Sequence, residues 1–157
     1  MIRYLLDTHI LIWAINDRAA LGTKLLRELE KPDNILYLSR ISLMEIAIKN
    51  RDGNLPLGEG YEKFIHNVGR MGIIILEVDN RHLVTMNQLS YPQKRNKDPF
   101  DHKDPFDHII ISQAIADRLQ LISADERMGY YAEQGLDWLE VKRNKGIAEI
   151  LIRKSCK

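Results

Sequence analysis

Four carboxylates, Asp7, Glu45, Asp107 and Asp125, fall where folding would gather them. Asp7 closes a mostly apolar run, residues 2–6, that reads as a strand buried on both faces. Asp125 follows a similar run at residues 119–123. Asp107 stands in the first turn of a helix. Glu45 is placed likewise by Ser42-Leu43-Met44-Glu45, which has the form of a capping box. In an open parallel sheet, ligands bind beyond the carboxyl ends of the strands, and helices that follow those strands begin there. Singly, each acid has a plainer use: Asp7 and Asp125 as helix caps, Glu45 in its capping box, Asp107 against a helix dipole. Their joint placement is what points to chemistry.

Carboxylates a few ångströms apart repel one another, so a proton or a cation must relieve them. An all-oxygen donor set without histidine or cysteine selects a hard ion, Mg²⁺ or Mn²⁺. Such an ion activates water and neutralises a scissile phosphate, which suits phosphodiester hydrolysis.

The elements that must hold these acids follow from periodicity. Strands are expected at residues 2–6, 35–38, 73–78, 119–123 and 138–141. Helices are expected at residues 9–15, 23–30, from Ser42 to near Asp52, and at 61–71, 79–89 and 107–119. Alternation on this scale implies an α/β fold with a mainly parallel sheet. A chain of 157 residues fits one domain, here residues 1–141, followed by a basic extension at 142–157. That extension reads as a basic helix over 147–152 or a frayed end. The net charge of +1 says nothing of partners, and 45% hydrophobic with 29% charged residues is ordinary for a soluble domain. A single cysteine, Cys156, excludes a disulfide framework and fits a reducing cytoplasm. The first apolar run is too short for a signal peptide, and no stretch approaches a membrane span.

The hexapeptide Lys-Asp-Pro-Phe-Asp-His occurs twice in tandem, at residues 97–102 and 103–108, so the third acid is Asp101 or Asp107. The second copy is favoured. Asp104 suits an N-cap and Pro105 the first helical position. A helix begun at Asp98 and Pro99 would carry Pro105 in its interior, at a cost of ~3 kcal/mol.

Four segments together resemble a known family: Leu5-Leu6-Asp7-Thr8-His9, residues 42–49, Asp104-Pro105-Phe106-Asp107 with residues 110–114, and residues 121–127. In that order they resemble the four motifs of the PIN-domain family, in particular the VapC-type toxin ribonucleases of type II toxin–antitoxin systems. The likeness covers residues 1–139. It implies a three-layer α/β/α sandwich and a Mg²⁺ or Mn²⁺ site on Asp7, Glu45, Asp107 and Asp125. It also implies cleavage of single-stranded RNA, an antitoxin partner and a homodimer. Thr8 and Ser123 match hydroxyl positions beside the acids, either orienting an acid or bound water or serving as turn residues. The family's spacing to the fourth acid also favours Asp107. The duplicated loop departs from the family pattern, leaving a catalytically impaired RNA- or antitoxin-binding module as the alternative.

Lys49, Arg51 and Arg127, with Lys94, Arg95 and Lys97, are candidates for RNA phosphates. His9, Trp13 and the face at residues 10–15 are expected in packing or hydrogen bonding rather than catalysis. A phosphohydrolase of the haloacid-dehalogenase kind would usually carry a second aspartate two residues after Asp7; His9 stands there instead.

Overall fold

The computed structural model describes residues 1–92 and 102–143. Residues 93–101, which include Lys94, Arg95, Lys97, Asp98 and Asp101, lie outside the described residues, as does most of the basic extension, 144–157.

The chain opens with β1 (Arg3–Leu6), α1 (Thr8–Asn16), a 3₁₀ turn (Arg18–Leu21) and α2 (Thr23–Leu29). It continues through β2 (Ile35–Ser39), α3 (Arg40–Arg51), α4 (Tyr61–Arg70), β3 (Ile74–Leu76) and α5 (Asn80–Gln88). After the undescribed segment come α6 (Pro105–Asp117), β4 (Gln120–Ser123), a 3₁₀ stretch (Glu126–Gln134) and β5 (Trp138–Glu140). The five strands form one sheet in the order β3-β2-β1-β4-β5, and every pairing is parallel. Leu5 lies opposite Tyr37 and Leu121, and Leu6 opposite Leu38 and Ile122.

Strand alternation divides the core in two. Tyr4, Leu6, Leu38 and Ile122 pack with Ile10 and Leu11 of α1, Leu43 and Ile46 of α3, and Phe64 and Val68 of α4. Leu5 and Leu121 pack on the other side with Ile109, Ile110, Ile111 and Ala114 of α6 and with Met128 and Tyr131. With helices on both faces, this is the three-layer α/β/α sandwich expected from the sequence. The central strand β1 has Leu5 and Leu6 fully inside, one on each face, which explains its unbroken apolar run. Among the described residues, no helix is long and apolar enough to cross a membrane.

α6 starts as its sequence requires. Asp104 accepts from the Phe106 N–H at 2.9 Å and Pro105 follows as the first helical residue. The capping box at Ser42 and Glu45, in contrast, does not form. β2 runs to Ser39, whose side chain accepts from the Ile41 N–H at 3.1 Å, so α3 begins at Arg40. Ser42 is therefore already inside the helix and buried, and Glu45 stands in the second turn rather than the first. The physical reason is that a serine three residues earlier already caps the helix, where strand meets helix without a loop.

Candidate functional site

The sheet order reverses between β1 and β4: from β1 the chain passes to β2 and β3 on one side, and later to β4 and β5 on the other. A crevice at the carboxyl end of such a switch point is the usual binding place in open α/β sheets. Asp7 and Asp125 lie there. The Asp7 N–H donates to the Ile122 carbonyl at 3.0 Å, tying the end of β1 to β4.

The Asp7 side chain is only 7% exposed. Its Oδ1 accepts from the Thr8 N–H at 2.8 Å, and its Oδ2 accepts from the Ser123 hydroxyl at 2.7 Å. Ser123 Oγ in turn accepts from the Asp125 N–H at 3.1 Å. One buried serine thus links the acids that end β1 and follow β4. The Thr8 hydroxyl donates to Ser42 Oγ at 2.9 Å, joining α1 to α3 beneath the site. Thr8 and Ser123 therefore orient neighbouring groups, and Ser42 has this connecting position in place of the predicted cap.

Asp125 caps the 3₁₀ stretch through the Arg127 N–H and receives the Arg127 guanidinium on both oxygens, at 2.8 to 3.1 Å. Burial works to raise its pKa, but the hydrogen bonds and charge of Arg127 outweigh that and hold the carboxyl below its ordinary range. Glu45, 9% exposed, pairs with Lys49 one turn along α3 at 3.1 Å. Asp107, in the first turn of α6, accepts from His102 at 2.9 Å.

Asp7, Glu45, Asp107 and Asp125 line one cleft of about 460 Å³, together with Asp104, His9, Trp13, Ala124, Lys49 and Arg127. The four sequence-derived acids line the same cleft, and Asp104 adds a fifth carboxylate that the sequence read only as a cap. Of the cation candidates, Lys49 and Arg127 reach the cleft. Arg51 does not line it: it ends α3 exposed and pairs with Asp52 at 2.9 Å. His9, expected in packing or hydrogen bonding, is exposed on α1 and lines the cleft. Trp13 is half-buried, packing against the core while also lining the cleft.

Sequence reasoning gave His102 no part in the site. It is fully buried, and its ring lies against both Asp107 and Tyr131. His102 ends the first hexapeptide, five residues before Asp107, and that spacing carries no signal of its contact with Tyr131.

Five carboxylates face two cationic side chains in this cleft. Burial, and then the charge of Asp107, push the Asp7 carboxyl up, against the lowering effect of Ser123, Thr8 and His9. This excess of negative charge and the oxygen-rich donor set fit a hard divalent cation held by Asp7, Glu45, Asp107 and Asp125.

The family model for the PIN domain matches residues 4–134. No match is found among curated protein sequences. Solved structures with the same fold include VapBC2 from Rickettsia felis bound to a DNA fragment from their promoter. It shares 19% identity, with 88% of this chain and 98% of that chain covered and a TM-score of 0.66. VapBC-1 from nontypeable Haemophilus influenzae shares 21% identity over 88% and 98%, with a TM-score of 0.62. VapBC-5 from Mycobacterium tuberculosis, a member of the VapBC family of toxin–antitoxin systems, shares 16% over 90% and 100%, with a TM-score of 0.58. With most of its length matched by the family model and its acids gathered at the switch point of the sheet, this chain belongs to the PIN-domain family.

Proposed function

We propose that this chain is a divalent-metal-dependent endoribonuclease of the VapC type, the toxin of a type II toxin–antitoxin pair restrained by a cognate antitoxin. The observation that carries the reading is the convergence of Asp7, Glu45, Asp107 and Asp125 on one cleft, with Asp7 buried and its carboxyl pushed up. Mg²⁺ or Mn²⁺ bound by these acids supplies water activation and charge neutralisation at the scissile phosphate. The chain's own residues do the positioning. Ser123 and the Thr8 N–H fix both oxygens of Asp7, and Arg127 fixes Asp125. Lys49 and Arg127 place positive charge on the cleft wall, where an RNA phosphate would approach. The fold likeness to VapBC toxin–antitoxin proteins supports an antitoxin partner.

Purified protein should cleave single-stranded RNA with Mg²⁺ or Mn²⁺ and stop on chelation. Asp7→Asn and Asp107→Asn should each lower the rate at least ~100-fold with folding intact, since each removes a charged ligand. Asp101→Asn, in the first hexapeptide, should leave it unchanged. Chelator-resistant cleavage, or full activity in Asp7→Asn, would overturn the reading. The alternative of a domain disabled by its duplication requires cleavage to appear only after one hexapeptide copy is deleted.

A further inference from the structure

The tandem hexapeptides leave two histidines in equivalent places, His102 ending the first copy and His108 ending the second, and both are buried. Their surroundings differ. His102 has its backbone held on both sides: its N–H donates to the Pro92 carbonyl at 3.1 Å, and its carbonyl accepts from His108 Nε2 at 2.6 Å. The His108 ring lies edge-on to that of His102, at 5.5 Å between centres, and is covered by Tyr91 at 4.4 Å. Ser112 Oγ donates to the His108 carbonyl at 2.7 Å, fixing the first turns of α6. The second histidine thus serves as a brace for the first.

The His102 ring joins Tyr131 to the acidic cleft. Its Nδ1 lies 2.6 Å from the Tyr131 hydroxyl and its Nε2 lies 2.9 Å from Asp107 Oδ2, with Asp125 Oδ2 further off at 3.9 Å. An ionised carboxylate only accepts, so the proton between His102 and Asp107 is on Nε2. Paired this way, Nδ1 is left to accept from the Tyr131 O–H. The phenol remains a donor because burial, followed by the charge of Asp107, pushes its pKa up. Tyr131 and His102 are both wholly inaccessible, so water does not compete for this chain of hydrogen bonds. In the sequence, Asn96 stands five residues before Asp101, where His102 stands before Asp107.

We propose that His102 is a positioning residue for the metal site, using the Tyr131–His102–Asp107 chain to fix the rotamer of Asp107 while itself remaining outside the ion's donor set. The closeness of His102, Asp107 and Asp125, whose ligand-type atoms all lie within 4.8 Å of one another, invites the opposite assignment of His102 as a ligand. Both ring nitrogens are already occupied, and Nε2 carries the proton it gives to Asp107. Partners of this kind, one step removed from an ion, typically alter metal affinity 10–100-fold when removed. The inference rests on Asp107 being a metal ligand, as in the proposed function.

The test uses the full chain and Mn²⁺ alone, with free ion followed by electron paramagnetic resonance and folding by thermal melting. His102→Asn keeps an acceptor near Nδ1 but cannot reach Asp107, and should weaken Mn²⁺ binding about tenfold or more. His102→Gln, whose amide N–H extends toward the Nε2 position, should recover part of that loss. Tyr131→Phe removes one oxygen and should weaken binding in the same direction; it decides the matter if the histidine variants fail to fold. The spectrum of bound Mn²⁺ in the unaltered protein should lack a directly coordinated nitrogen. A coordinated nitrogen that disappears in His102→Gln would overturn the proposal, as would unchanged affinity in folded His102→Asn or in Tyr131→Phe. Asp107→Asn separates the two readings. If it abolishes binding while the His102 and Tyr131 variants bind normally, only this inference fails; if it too binds normally, the metal site itself is misassigned.

Discussion

At the scale of the residue, Asp7 stands under opposing demands. Each of its two oxygens accepts one hydrogen bond, from Thr8 and from Ser123, which favours the ionised form, yet burial and Asp107 push its pKa up. A folded carboxyl with a raised pKa contributes stability that is complete below its unfolded value and lost as pH rises through the folded one. Without metal, charging Asp7 as pH rises above the ordinary carboxylate range is therefore a burden on the fold. Asp7→Asn keeps the side-chain shape and the cap but removes the charge. In chelator it should melt a few degrees higher than the unaltered chain at pH 7, given roughly 2–4 °C per kcal/mol for a chain of this size. The difference should shrink on acidification. A melting temperature below that of the unaltered protein at pH 7 would contradict this account.

At the scale of the element, helix starts place the chemistry, and each start is capped by a side chain that accepts a backbone N–H of the first turn. α1 is capped by Asp7, α3 by Ser39, α6 by Asp104, and the 3₁₀ stretch by Asp125. Capping a helix and lining the cleft are thus not alternatives here, because a cap at the carboxyl end of a strand already lies at the crevice. Asp104 combines both positions, since it caps α6 and lines the cleft. Asp104→Ala should lower stability by about 1 kcal/mol, while Asp104→Asn, which retains the accepting oxygen, should be within a few tenths. Denaturant melts of the two variants separate the cap from the charge. Equal losses in both would assign the effect to the charge instead.

At the scale of the whole molecule, the layers are joined by polar contacts as well as by the two apolar clusters. The Tyr4 hydroxyl, at the end of a ring buried under α2, donates to Glu28 at 3.0 Å. Burial, then the hydrogen bond and charge of Glu28, push its pKa from 10.0 up to about 12. The folded state therefore holds this proton more tightly than the unfolded one. Stability from Tyr4 is complete below its ordinary value of 10.0 and is lost as pH climbs through about 12. Tyr4→Phe should flatten part of the fall in melting temperature across that window while leaving the profile near neutrality parallel to that of the unaltered chain. An identical alkaline slope in the variant would remove Tyr4 as its source.

The sequence by itself determined the strand and helix order, because apolar runs and periodicity report burial directly. It also placed Asp107 in the first turn of its helix, because Pro105 tolerates only a first-turn position. The four acids were legible from their places after strands and at helix starts, although Glu45 was reached through a capping box that does not form. Ser42 illustrates the limit: a local pattern cannot tell whether Ser39 already caps the helix, nor that Thr8, 34 residues away, will donate to the Ser42 hydroxyl. Only the tertiary structure decided that Lys49 and Arg127 enter the cleft while Arg51 turns away, because these depend on which side of a helix or turn faces the switch point. It alone placed His102 between Tyr131 and Asp107, a contact spanning 29 residues to the tyrosine. Such contacts depend on how layers pack, and no local spacing encodes them.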